Sequence, residues 1–176
     1  DSSPEDATLL RSSKKQGNGC FNALFFSRHR RQLFRPVLIR LAIIAGAFAV
    51  GCVVLLFIEP ARATIANIPG QLPIFVFIMY MFSTGEKACK AMFYNCDISL
   101  LRYAFYRTPA MVLGNFNIRL RTVAGHNLLL GGALSALALL LTALAGGDLG
   151  VDAALLVVCI LLLSLFFSVH HLFLYY

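Results

Sequence analysis

Few residues in this chain combine a reactive type with a useful spacing. Glu86 and Lys90 stand four apart, one helical turn, so they can form an ion pair on one face. Inside a membrane such a pair would mark a transport or proton site, whereas near a membrane boundary it is a solvated pair. His170 and His171 are adjacent, so a helix turns them to different faces and they cannot grip one metal as an i,i+4 pair would. Cys20, Cys52, Cys89, Cys96 and Cys159 lack any C-x-x-C spacing, which points to reduced thiols rather than zinc ligands or disulfides. A richer pattern is Asp97 and Ser99, acceptors suited to start a helix, followed by Leu100, Leu101, Tyr103, Phe105 and Tyr106 interleaved with Arg102 and Arg107. Arginine and aromatic side chains are what protein-binding hot spots use, and a helix lying on a membrane surface has the same composition.

The elements that must position these residues are apolar and long. The chain is 59 % hydrophobic over 176 residues, with a mean hydropathy of +0.78, against ~45–50 % apolar for globular chains. Four spans are expected, at about 37–58, 72–95, 127–145 and 151–174, three of them with apolar runs near the length needed to cross a ~30 Å core. The second is unusual. Its apolar run ends at Phe82, but helix-compatible residues continue to Asn95, so a continuous helix of about 34 Å should project beyond the membrane.

Fourteen of the fifteen Lys and Arg residues precede the apolar run 41–58 or lie between the runs 72–82 and 128–145; only Arg62 falls on the other side, with Glu59, Asp148 and Asp152. Excess basic residues stay cytoplasmic, so the N-terminus and the 95–126 loop are expected inside. The net charge of +7 and pI near 9.5 are then explained by anionic lipid headgroups, and no nucleic acid partner is implied.

Residues 1–20 are Ser-, Gly- and charge-rich and should be flexible. Over 21–35, Phe21, Leu24, Phe25, Leu33 and Phe34 alternate with Arg28, His29, Arg30, Arg31 and Arg35. That is a basic amphipathic helix for the membrane surface, with Phe25 and Phe34 towards the acyl boundary and Arg28 and Arg31 on phosphates. Pro36 should break it from the first span. Within that span Ala42, Gly46, Ala47 and Gly51 suit close helix packing. The loop 59–71 is too short for an external domain, Gly146, Gly147 and Gly150 make a tight turn, and Tyr175 and Tyr176 suit an interfacial aromatic belt. A haem-ligating role for His170 is the weaker reading of the last helix. No G-x-x-x-x-G-K-[ST], G-x-S-x-G or H-E-x-x-H occurs, so the chain is not expected to be an enzyme by itself. The expectation is an all-α membrane protein of four transmembrane helices, an N-terminal interfacial helix and a short cytoplasmic loop helix, with residues 21–176 as one transmembrane domain.

A surface helix leading into a first span, a second span protruding inside and a helix in the first inner loop together resemble the membrane subunit of a type-2 ABC exporter. Locally, the segment AMFYNCDISLLRYAFYRTP from Ala91 to Pro109 resembles the loop after the second span in exporter permeases of Gram-positive gut bacteria. The ending FSVHHLFLYY from Phe167 resembles their fourth span. The resemblance covers roughly 21–176 and implies part of a six-span permease half in the bacterial cytoplasmic membrane. A second permease copy or homologue would complete the path. A cytosolic ATPase subunit would dock on a coupling helix near 97–109, through Asp97, Leu101, Arg102, Tyr103, Phe105, Tyr106 and Arg107. ATP and magnesium would sit on that partner, with no cofactor in this chain. The rival expectation is a non-transporting membrane scaffold, since four helices with few buried polar groups also fit a subunit that only packs against others.

Overall fold

A computed structural model describes residues 30–92, 94 and 108–174. Among these residues the chain is almost entirely helical and forms no strand. Helix α1 is Arg30–Phe57, α2 is Glu59–Ala66, a 3-10 turn covers Ile68–Gly70, α3 is Leu72–Phe82, α4 is Gly85–Met92, α5 is Pro109–Leu144 and α6 is Val151–Phe173. Three stretches are long and apolar enough to cross a membrane: Leu33–Phe57, Pro109–Leu144 and Val151–Phe173.

The spine is the hairpin of α5 and α6. Its turn has a physical cause: Gly146 adopts a φ of +79°, which only glycine reaches without strain. Gly146 N–H donates to the Ala143 carbonyl and Gly147 N–H to the Thr142 carbonyl, which satisfies the last carbonyls of α5 in a Schellman cap. Along α5 the buried positions Asn115, Arg119, Val123, Asn127, Leu130, Leu134, Ala138 and Leu141 recur every three or four residues, so one stripe faces the bundle. Against that hairpin, α1 packs on α5, while α3 and α4 both pack chiefly on α6.

Three apolar clusters result. The main one joins Val37 and Ile44 of α1, Phe75 and Met79 of α3, Leu130, Leu134 and Ala138 of α5, and Leu156, Ile160 and Phe167 of α6. A second, at the acidic end near Asp148 and Asp152, joins Leu55, Leu141 and Ala145. The third, at the basic end, is small: Leu33, Ala88, Met92 and Val123. Gly51 presses on the Leu141 side chain, whereas Gly46 faces open space, so only part of the small-residue pattern in α1 serves packing. Large apolar side chains stand exposed along whole faces, among them Leu38, Ile43, Val50 and Leu56 of α1 and Val158, Leu162, Phe166 and Phe173 of α6. A soluble monomer rarely leaves so continuous an apolar surface uncovered.

The fold departs from the sequence expectation in three places. Pro36 does not separate a surface helix from the first span, because α1 runs unbroken from Arg30 through it. Leu33 and Val37, one turn apart across the proline, are both buried, and that packing holds the two sides in one helix. The third apolar helix begins not near 127 but at Pro109, which occupies the first helical turn behind Thr108, where a missing N–H costs nothing. The continuous helix from Pro73 to Asn95 does not form either. It breaks at Ser83 and Thr84 into α3 and α4.

Candidate functional site

The break between α3 and α4 is where the polar chemistry of the interior gathers. Ser83 is extended, with φ −61° and ψ 127°, and its N–H reaches back to the Tyr80 carbonyl at 3.3 Å, tightening the last turn of α3. Thr84 restarts the chain, its carbonyl accepting the Ala88 N–H at 3.0 Å. A backbone that leaves one helix and enters another exposes N–H groups without helical partners. Here the partner comes from α5. Asn127 Oδ1 accepts the Thr84 N–H at 3.0 Å and the Thr84 hydroxyl at 2.8 Å. Its Nδ2 donates to Ser83 Oγ at 3.4 Å and to Ser168 Oγ of α6 at 2.9 Å.

That single amide uses two donor hydrogens and two acceptor lone pairs, which is its full capacity. Its orientation is fixed, because the Thr84 N–H can only donate and must meet the oxygen. Ser168 in turn donates to the Ser164 carbonyl at 2.7 Å, and Ser164 donates to the Ile160 carbonyl at 2.8 Å. Each serine thus spends its proton on its own helix and keeps its lone pairs free, so Ser168 can accept from Asn127. Ser83, Thr84, Asn127, Ser164 and Ser168 are all buried. None changes charge in the physiological range, so the cluster is a positional clasp joining three segments rather than an acid–base site.

Two glycines allow the close approach. A Cβ on Gly131 of α5 would overlap Ser164 Oγ, and a Cβ on Gly85 would stand 2.7 Å from Cδ2 of His171. The His171 ring also stacks beside Phe167, at 6.4 Å between centroids, while His170 stacks on Phe166 at 5.7 Å. The two histidines thus stack on different phenylalanines and meet each other edge-on at 5.5 Å.

Of the residues singled out from sequence, Glu86 and Lys90 meet on α4 at 2.6 Å, both more than half exposed. The Lys90 ammonium donates to the Glu86 carboxylate. The pair lies outside the three long apolar helices. Arg31 and Phe34 belong to α1; Arg31 is exposed, and Phe34 meets His126 of α5 edge-on at 4.8 Å. Cys52, Cys89 and Cys159 are not in disulfides. Phe25 and Arg28, together with Asp97, Leu101, Arg102, Tyr103, Phe105, Tyr106 and Arg107, lie outside the described residues, as do residues 1–20.

Asn127, the centre of the clasp, carries no motif that marks it in the sequence. The available signal was an amide at the threshold of a long apolar run, where a polar side chain needs a partner. Ser83-Thr84-Gly85 was a second signal, since each of these residues prefers a turn or cap to a helix interior. No family profile matches the chain, and neither a curated protein nor a solved structure matches it.

Proposed function

We propose that this chain is the membrane-spanning permease subunit of an ATP-driven exporter, with α3 and α4 together forming a broken second crossing. The observation that carries the reading is the clasp itself. A helix interrupted within an apolar bundle, with its freed backbone held by a side chain of a second helix that is itself bonded to a third, recurs in the broken helices of transporters. Asn127 and Ser168 each stand about 25 Å from the acidic ends of α5 and α6 at ~1.5 Å per residue. In a ~30 Å hydrocarbon core that depth is the inner third, if the basic end faces the cytoplasm.

The length of α5 supports the same picture. Its 36 residues extend about 54 Å, more than a bilayer core requires, so its basic-end portion, which the 97–107 segment precedes in sequence, would reach into the cytosol. That segment, with its resemblance to the coupling region of exporter permeases, is where a separate ATPase would dock. ATP and magnesium would be bound there and not by this chain, and a second copy or homologue would complete the transport path. The exposed apolar faces of α1 and α6 would meet lipid or that second copy. The bacterial cytoplasmic membrane is the corresponding location, with the N-terminus inside.

The test is co-purification from membranes followed by transport in proteoliposomes. A bound nucleotide-hydrolysing subunit is expected, and the Tyr103→Ala, Phe105→Ala double variant should release it through loss of about 2 kcal/mol or more per anchor. Substrate-stimulated hydrolysis and export should fall together while membrane expression persists. Absence of any ATPase partner would transfer the assignment to the scaffold. Labelling an Asp148→Cys variant from the cytoplasmic side alone would overturn the orientation.

A further inference from the structure

The Ser83–Thr84 joint lies between two apolar clusters, and α3 and α4 on either side of it both pack on α6. On one side α3 buries Phe75 and Met79 in the main apolar cluster. On the other, α4 buries Ala88 and Met92 in the small cluster with Leu33 and Val123. The two clusters share no residue. Asn127 spans the joint between them, and the Gly85 backbone rests on the His171 ring just beyond it. Segments with few buried apolar contacts open locally at lower cost than well-packed ones, and α4 has the smaller cluster.

We propose that Ser83–Thr84 is a hinge and Asn127 its latch, so that α4 swings as a unit from the basic end of α6 while α3 stays packed. Every latch bond joins neutral groups, and the Thr84 and Ser83 hydroxyls have other partners close by when the latch opens, so the Thr84 N–H is the one donor that release leaves exposed. Thr84 stands in the capping position of α4, where a threonine hydroxyl accepts an N–H from the first turn of its own helix. Ser83 Oγ already receives the Gly85 N–H at 3.4 Å. Asn127 keeps its bond to Ser168 in either position. The charged face of α4, with Glu86, Lys87 and Lys90, is exposed in the latched state, so release buries no charge. Asn127 is thus a positioning residue. The hinge requires no particular partner, and it stands or falls separately from the exporter assignment.

The experiment is amide hydrogen exchange on the full chain in lipid nanodiscs, resolved by helix. In Asn127→Ala, the amides of residues 84–92 should exchange about tenfold faster or more, while α3 and the α5–α6 hairpin keep wild-type protection. Gly85→Ala is an independent route to the same state, because its Cβ pushes against His171 while the Asn127 chemistry is intact. It should give the same localised acceleration. Acceleration spread evenly over all helices would make Asn127 a general core residue and overturn the hinge. Unchanged exchange across 84–92 in both variants would overturn the latch.

Discussion

The two ends of the α5–α6 hairpin are sealed by different physics. Towards the acidic end, α5 presents Leu134 and Ala138 to Leu156 and Ile160 of α6 and Leu141 to Leu55 of α1, and the buried Thr142 hydroxyl bonds within its own helix, so apolar volume dominates the contact. Towards the basic end the same two helices meet through Gly131, Asn127, Ser164 and Ser168. Apolar packing is non-directional, so it tolerates sliding and small rotations as long as the space stays filled. Hydrogen bonds fix both distance and angle, and a buried group that loses its partner is costly. One end of the hairpin therefore sets how firmly the helices hold together. The other sets how they are registered and where the broken helix must lie.

This contrast breaks most directly under truncation on the apolar side. Ile160 is fully buried, and Ile160→Ala should cost about 3 kcal/mol through lost contacts and the cavity left behind. Reversible unfolding in mixed micelles would measure it, and the loss should be global. A cost below about 1 kcal/mol would mean that the acidic end is not held by packing.

Asn127→Leu tests the other side. Leucine fills similar space but strands the Thr84 N–H, and the expected cost is about 2 kcal/mol, near the penalty for an unsatisfied buried donor. Interhelical hydrogen bonds in membranes average only ~0.6 kcal/mol, because the unfolded chain in the bilayer finds other partners. A measured cost at that lower figure would show that the Thr84 N–H had found a substitute, and the directional seal would lose its distinction.

What could be read from the sequence follows the same division. The apolar runs were legible because hydropathy is a local property. The last span expected at 151–174 coincides with α6, Val151–Phe173. Local properties also misled. Pro109 to His126 carries arginines and asparagines and reads as loop, yet it forms the first half of α5, because Val123 and its stripe neighbours find partners that hydropathy does not reveal. The break at Ser83–Thr84 was the least legible feature. Those residues favour a turn or cap without enforcing one, and the amide that captures the Thr84 backbone is 43 residues away in the chain. The i,i+4 pair of Glu86 and Lys90 needed only the spacing within one helix, so it was visible at once. The docking residues from Asp97 to Arg107 rest on the resemblance alone.

The finest test of the contrast lies at Gly131, where volume and direction meet in one contact. A methyl group there would overlap Ser164 Oγ. To make room, the Ser164 hydroxyl must leave its 2.8 Å bond to the Ile160 carbonyl, or the helices must part and strain the neighbouring Asn127–Ser168 bond. Gly131→Ala alone should therefore cost about 1.5 kcal/mol, within the range for overpacking a close contact. Ser164→Ala alone should be nearly silent, because the Ile160 carbonyl keeps its backbone partner in the helix and no buried donor is left unpaired. Combining them removes the overlap, since the methyl then replaces the hydroxyl it would have struck. The double variant should regain about 1 kcal/mol relative to additivity, a coupling of the size expected for residues in contact. Additive costs would mean that the backbone of α5 itself shifts and that the glycine is needed for its conformation. Coupling accompanied by restored protection of the Thr84 amide would show that packing at Gly131 exists to hold the Asn127 clasp in register.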